Sequence, residues 1–437
     1  MTSEYFVIRG GRALDGSVRI RGSKNAASKM MLASLLTNKP CVIQNIPFSL
    51  EIDIAAELCG RAGSAVTFDR EAHACTLHAS SITTSQIPEL SRRNRIPILA
   101  IGPLLHRTGQ VEIPFLGGDP IGHRPIDFHL EALNRMGVRI ERREHSYYAE
   151  ADEIRGADIT LPFPSVGATE NILLTAVCAS GRTVIGNAAV EPEVINLINM
   201  LTAMGADIHY DAAQRRIEIQ GVRNLEGAVA RAVPDRNEAV SFVSAALATK
   251  GSLNLYETEP AHFTAFLAAL EAWGASYTIH SWGLRFKCGL AQRPVSIETA
   301  PHPSFMTDWQ QPFSVLLTQA NGTSRVHETV YEDRFGYAKD LNRMGAVISV
   351  SDECLGNTAC RFNGQTFNHS ARITGPTKLM GADIHITDIR AGMAHVIAAL
   401  AAEGESLISG VEHLDRGYEK IDERLKELGA DIKRISN

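Results

Sequence analysis

The chain has 437 residues, of which 44% are hydrophobic, and a formal net charge of −6. That is length enough for more than one domain and apolar content enough for large cores, while the negative balance argues against nucleic acid as a partner. No apolar run reaches the ~18 residues of a membrane span, and the start MTSEYFVIRGG has no signal-peptide core.

In chain order, the first predicted unit is a strand-like run, Ser17 to Ile20, then Gly22-Ser23-Lys24-Asn25-Ala26-Ala27-Ser28, then an apolar helix, Met30 to Leu36. Ser23 is placed to cap that helix, leaving free N–H groups and Lys24 facing outward, an arrangement suited to an anion. The G-x-x-x-x-G-K spacing of a Walker loop is absent. On this segment alone, a plain capped helix with a solvated lysine is the favoured reading. Next comes Gly117-Gly118-Asp119-Pro120-Ile121-Gly122-His123-Arg124-Pro125, a loop with an acid, an imidazole and a guanidinium but no periodic face. Pro164-Ser165-Val166-Gly167-Ala168-Thr169 repeats the strand-to-capped-helix pattern, leading into the apolar stretch ENILLTAVCA. Further on stand Asp308, Arg334, Arg390 and Arg416, and each of these arginines follows an acid by one or two residues. Singly they read as surface ion pairs; converging, they suit a small polyanion, because guanidinium binds phosphate and carboxylate bidentately.

One short motif punctuates these elements: an apolar residue, two mostly polar residues, an apolar residue, Gly, then a small residue. Its six copies are Cys59 to Ser64, Leu133 to Val138, Leu201 to Ala206, Leu270 to Ala275, Leu341 to Ala346 and Leu425 to Ala430. The copies lie about 70 residues apart, too long for a common solenoid, so each belongs to a small α/β unit. The Gly reads as a helix C-cap. A second Gly (109, 181, 251, 322, 404) precedes each of the last five copies, after helix-like stretches rich in Ala, Leu and Ser. The unit is helix, Gly, strand, helix, Gly, strand, its small apolar helices suited to burial. Six units imply two domains of three. The seven cysteines, at 41, 59, 75, 178, 288, 354 and 360, form no C-x-x-C pair and no metal-ligand spacing, which fits a reducing cytoplasm.

Taken together, GSKNAA (22–27), GGDPIGHRPIDFH (117–129), PSVGATEN (164–171), NAAVEPEV (187–194), VPDR (233–236), TAPHPSFMTDWQ (299–310), ETVYEDRF (328–335), TDIRAG (387–392) and LDRGYE (414–419) resemble the UDP-N-acetylglucosamine 1-carboxyvinyltransferase family of enolpyruvyl transferases. The resemblance runs from Tyr5 to Ile435. It implies a two-domain inside-out α/β barrel of six βαβαββ repeats, three per domain, with helices inside and the active site in the interdomain cleft. The domains it implies are 23–232, and 1–22 with 233–437. The implied reaction moves the enolpyruvyl group of phosphoenolpyruvate to the 3-hydroxyl of UDP-N-acetylglucosamine by addition and elimination, with release of phosphate and no metal or organic cofactor.

The resemblance places Lys24, Arg124 and Arg416 on the phosphate, and Arg334 and Arg390 on the carboxylate. Asp308 matches the general base, and Asp119 holds the place of a catalytic Cys. Asn25, Arg95, Arg124, Pro125, Ile126, Asp127, Phe128, Ser165, Val166, Gly167 and Val330 match nucleotide-sugar contacts. Three positions depart from the family pattern: Asp119 for that Cys, and Phe163 and Leu50 for lysines. Two alternatives share the fold, namely a 3-phosphoshikimate 1-carboxyvinyltransferase and a catalytically dead paralogue that binds a nucleotide sugar. The 117–129 loop and the PSVGATEN segment favour the nucleotide-sugar enzyme.

Overall fold

The computed structural model describes residues 4–118, 125–332, 334–357 and 360–436. Two compact units are present, dividing between Arg21 and Gly22 and again between Val233 and Pro234, so that the first strands belong with the C-terminal half. Glu4–Arg9 pairs antiparallel with Glu405–Ser409 and with Asp431–Ser436, so the first described strand is held by the last two. Asp15–Arg19 runs parallel to Ser252–Tyr256.

Among the described residues each unit holds three sheets. In the 22–233 unit they are built on Cys41–Gln44, Gln110–Pro114 and Arg182–Gly186; in the other unit, on Ser252–Tyr256, Gly322–His327 and Glu405–Ser409. In the four-stranded sheets a short or early strand joins in parallel and the other pairings are antiparallel, as a crossover followed by hairpins requires. The helices that the apolar stretches predicted are buried all round. All residues of Arg236–Ala248 and of Gln310–Leu317 are buried, and so is Ile389–Ala401 up to Leu400. These three pack on one another in the centre of their unit, with the sheets outside them. A helix that is apolar all round is stable only in such a place.

The recurring motif is a helix-ending hydrogen bond. In all six copies the N–H of the last residue donates to the carbonyl of the first: Ser64 to Cys59 (2.9 Å), Val138 to Leu133, Ala206 to Leu201, Ala275 to Leu270, Ala346 to Leu341 (3.0 Å each) and Ala430 to Leu425 (3.1 Å). The Gly between them has positive φ every time, from 90° to 114°. This is the Schellman cap, and its demand for a left-handed residue fixes the Gly. The second Gly is left-handed at Gly109, Gly181, Gly322 and Gly404, with φ from 74° to 137°. At the end of Arg236–Ala248 the left-handed residue is Lys250 (φ 60°), and Gly251 is required instead because a Cβ there would strike the Leu14 carbonyl. Among the described residues no helix is long and apolar enough to cross a membrane.

Candidate active site

In the 234–436 unit, the N-terminal ends of the central helices carry the charge. Asp308 lies in the 3-10 turn Thr307–Trp309, directly before Gln310–Leu317. Its Oδ1 accepts from Arg334 Nη2 at 2.5 Å and its Oδ2 from Arg390 Nε at 3.2 Å. The Arg334 and Arg390 side chains are only 3% and 6% exposed, against 24% for Asp308, so the carboxylate is the reachable face of the triad. Arg390 sits in the first turn of Ile389–Ala401, whose cap, Asp388, accepts from the Arg390 and Ala391 N–H groups at 2.8 and 2.9 Å. The Arg390 Nη1 donates to the Tyr418 hydroxyl at 2.9 Å, and that hydroxyl meets Ser241 Oγ at 2.8 Å. Burial opposes the Arg390 charge, but Tyr418 and Asp308 outweigh it and raise its pKa.

Arg334 is held from the other side. Its Nε donates to Thr307 Oγ1 at 3.3 Å, and that hydroxyl donates to Glu328 at 2.8 Å. Glu328 is fully buried and also accepts from the Val330 and Tyr331 N–H groups. Burial pushes its carboxyl pKa up, with Arg334 pulling the other way. Arg416 is half-buried at the end of the short helix Glu412–Asp415, two residues before Tyr418. Arg334 and Arg416 occupy equivalent points between a strand and the second helix of a repeat, whereas Arg390 begins a central helix, so the three arginines do not share one repeat position.

In the 22–233 unit, Lys24 differs from the outward-facing lysine expected. It is buried and its Nζ donates to Glu51 at 2.5 Å, because an unpaired ammonium at that depth would be costly. Ser23 stands at the N-cap of Lys24–Ala33, yet its hydroxyl makes no cap hydrogen bond and is buried without a partner among the described residues. Asn25 is half-buried in the first turn. Ser165 does cap its helix, Val166–Ala176, accepting from Ala168 N–H at 3.4 Å. Gly167 leaves room for His129, whose ring lies 3.3 Å from where a Cβ would stand. His129 accepts from Asn171 at 3.1 Å, and burial, then Arg95, push its pKa down to about 3, so it stays neutral. Arg95 also donates to the Pro125 carbonyl at 3.3 Å. Asp127 is exposed at the start of Asp127–Arg135, where the helix dipole favours it. Ile126, Phe128 and Val166 pack partly buried on the unit's core. Val330, in the other unit, is half-buried with its N–H on Glu328. Asp119 and Arg124 lie outside the described residues.

Several residues escaped selection although they stand inside the quoted segments. Tyr418 and Glu328 orient the two arginines. Glu170 is buried in the Ser165 helix with its pKa raised to about 7, by burial first, then by Glu193, Glu191 and Glu51 against the pull of Lys29. An acid buried in an apolar helix was the available signal. Cysteine spacing misled as well: Cys354 and Cys360 gather with His327 and His369, their ligand atoms all within 4.8 Å of one another.

The fold is that of solved enolpyruvyl transferases. The enolpyruvyl transferase NikO from Streptomyces tendae matches with a TM-score of 0.87 at 22% identity, covering 100% of both chains. An EPSP synthase from Acinetobacter baumannii matches at 0.75 and 16% identity, covering 99% of this chain and 100% of that one. The chain is a transferase and belongs to the EPSP synthase (3-phosphoshikimate 1-carboxyvinyltransferase) family, whose model matches residues 8–425. Within that family it is 46% identical to the UDP-N-acetylglucosamine 1-carboxyvinyltransferase of Protochlamydia amoebophila, over 97% of this chain and 93% of that one. To the protein of the same name from Chlamydia abortus it is 43% identical, over 98% and 97%.

Proposed function

We propose that this enzyme transfers the carboxyvinyl group of phosphoenolpyruvate to the 3-hydroxyl of UDP-N-acetylglucosamine and releases phosphate, an entry step to peptidoglycan precursors in the cytoplasm. The near full-length identity to proteins named for that acceptor carries the choice of substrate. The Asp308–Arg334–Arg390 triad supports the chemistry. Two buried guanidiniums suit a substrate carboxylate, and each of them holds one Asp308 oxygen. A substrate carboxylate that competes for both arginines releases Asp308 to take the acceptor hydroxyl proton. Lys24, Arg124 and Arg416 hold phosphate in this reading, and Asp119 protonates the enol methylene. Asn25, Arg95, the 125–128 segment, Ser165, Val166, Gly167 and Val330 bind the nucleotide sugar.

The test is phosphate release from phosphoenolpyruvate with each acceptor in turn. Turnover with UDP-N-acetylglucosamine and none with shikimate 3-phosphate is expected. The reverse preference makes it the shikimate enzyme, and turnover with neither makes it a binding protein.

A further inference from the structure

Away from the triad, the same unit brings together two thiols and two imidazoles that the reaction does not use. His327 ends the strand Gly322–His327, and His369 directly precedes the strand Ser370–Gly375. The two strands pair with His327 opposite Ser370, which sets the two rings 5.2 Å apart. Cys354 and Cys360 come from the long connection between Val347–Ser351 and Ser370–Gly375. The four ligand atoms all lie within 4.8 Å of one another, and both histidines are buried.

The imidazoles are oriented as ligands. His369 Nδ1 faces the Phe367 carbonyl at 2.7 Å. A carbonyl only accepts, so Nδ1 carries the proton and Nε2 offers its lone pair, 3.2 Å from Cys354 Sγ. His327 Nδ1 meets Ser370 Oγ at 2.8 Å, and its Nε2 is buried with no hydrogen-bond partner among the described residues. A second-shell bond on one ring nitrogen with the other nitrogen unsatisfied is how metal-bound histidine is held. The loop backbone is also fitted to the site. A Cβ on Gly356 would strike the His327 ring, and Asn357 N–H donates to Glu298 at 3.0 Å, clamping the connection over it.

We propose that His327, Cys354, Cys360 and His369 bind one zinc ion. Two thiolates balance its charge, and two neutral imidazoles complete a tetrahedral set of the kind found in structural zinc sites. With metal bonds of about 2.0 to 2.3 Å, ligand atoms stand about 3.3 to 3.8 Å apart, so separations of up to 4.8 Å need to close by about 1.5 Å at most. Four protein ligands leave no open position, so the ion does not activate water. It pins Cys354 and Cys360 to the end of the sheet. It also steadies the end of the strand that continues into Glu328, whose N–H donates to the His369 carbonyl at 2.8 Å.

The test uses the full chain, purified under reducing conditions without added metal, and the double variant Cys354→Ser/Cys360→Ser. Metal content is measured directly. Chelator-treated protein is then titrated with zinc chloride against a chromogenic chelator, and cobalt substitution reads the geometry. One zinc per chain is expected, with thiolate-to-cobalt charge-transfer bands, tetrahedral d–d absorption and slower proteolysis of the 352–369 connection. The double variant should bind zinc at least ~100-fold more weakly, beyond what loss of an outer-shell partner costs. The proposal is overturned if the wild-type chain fails to compete for zinc, if the double variant binds as tightly as wild type, or if Cys354 and Cys360 form a disulfide in place of the metal.

Discussion

Glu170→Gln should remove a pH dependence of stability that the wild-type chain carries near neutrality. Burial, with Glu193, Glu191 and Glu51 close by, lifts the Glu170 pKa from 4.5 to about 7. One unit of pKa is worth about 1.4 kcal/mol, so the shift represents about 3 kcal/mol. The sign follows from proton counts. Between the two values the native state holds a proton that the unfolded state has lost, so stability is full below the unfolded pKa and falls as pH rises through the native one. Gln mimics the protonated form at every pH. It can itself leave a buried amide donor unpaired, at about 1 to 3 kcal/mol, but that cost does not vary with pH. The quantity to follow is therefore the difference between variant and wild type, by urea unfolding with circular dichroism from about pH 4 to pH 8. Relative to wild type the variant should gain about 3 kcal/mol across this range. Parallel curves, with a difference constant to a few tenths, would show that Glu170 titrates normally and that the acidic surroundings are relaxed by solvent.

Asp308→Asn should bind both substrates but lose turnover by about 100-fold or more, the usual contribution of a general base; near-normal kcat would remove Asp308 from that role. Arg416→Ala should cost about 2 to 5 kcal/mol in kcat/KM for phosphoenolpyruvate, the penalty for leaving buried phosphate oxygens without a cation, and unchanged kinetics would make Arg416 a bystander. A carboxylate is a far poorer nucleophile than a thiolate toward the epoxide of fosfomycin, so the unmodified enzyme should resist that compound. Asp119→Cys should stay active and become sensitive, and Asp119→Asn should lose most activity. Time-dependent inactivation of the unmodified enzyme, or full activity of the Asn variant, would contradict this.

The repeating architecture was legible because its punctuation is local. A Schellman cap needs a left-handed residue and an apolar contact within six residues, so it leaves a visible mark at the end of one helix in each repeat. Burial of the central helices was legible from their composition for the same reason. What escaped depends on partners far along the chain. Lys24 is turned inward by Glu51, and no pattern within GSKNAAS signals that. Gly251 looks like a helix cap but answers to Leu14, more than two hundred residues earlier. The triad joins Asp308 and Arg390, at the starts of two central helices, with Arg334 from a strand-to-helix connection, so its members were separately visible while their pairing was not. The cysteine and histidine cluster was hidden because strand register, not sequence spacing, puts His327 beside His369.

Identifying the product tests the central claim most directly. Carbon-labelled phosphoenolpyruvate is incubated with the enzyme and UDP-N-acetylglucosamine, and the nucleotide sugar is examined by mass spectrometry and NMR. The account predicts a labelled carboxyvinyl ether at the sugar 3-oxygen, one phosphate released per ether formed, and no such product from Asp308→Asn on the same time scale. Unlabelled nucleotide sugar, alongside label on shikimate 3-phosphate when that acceptor is offered, would contradict it.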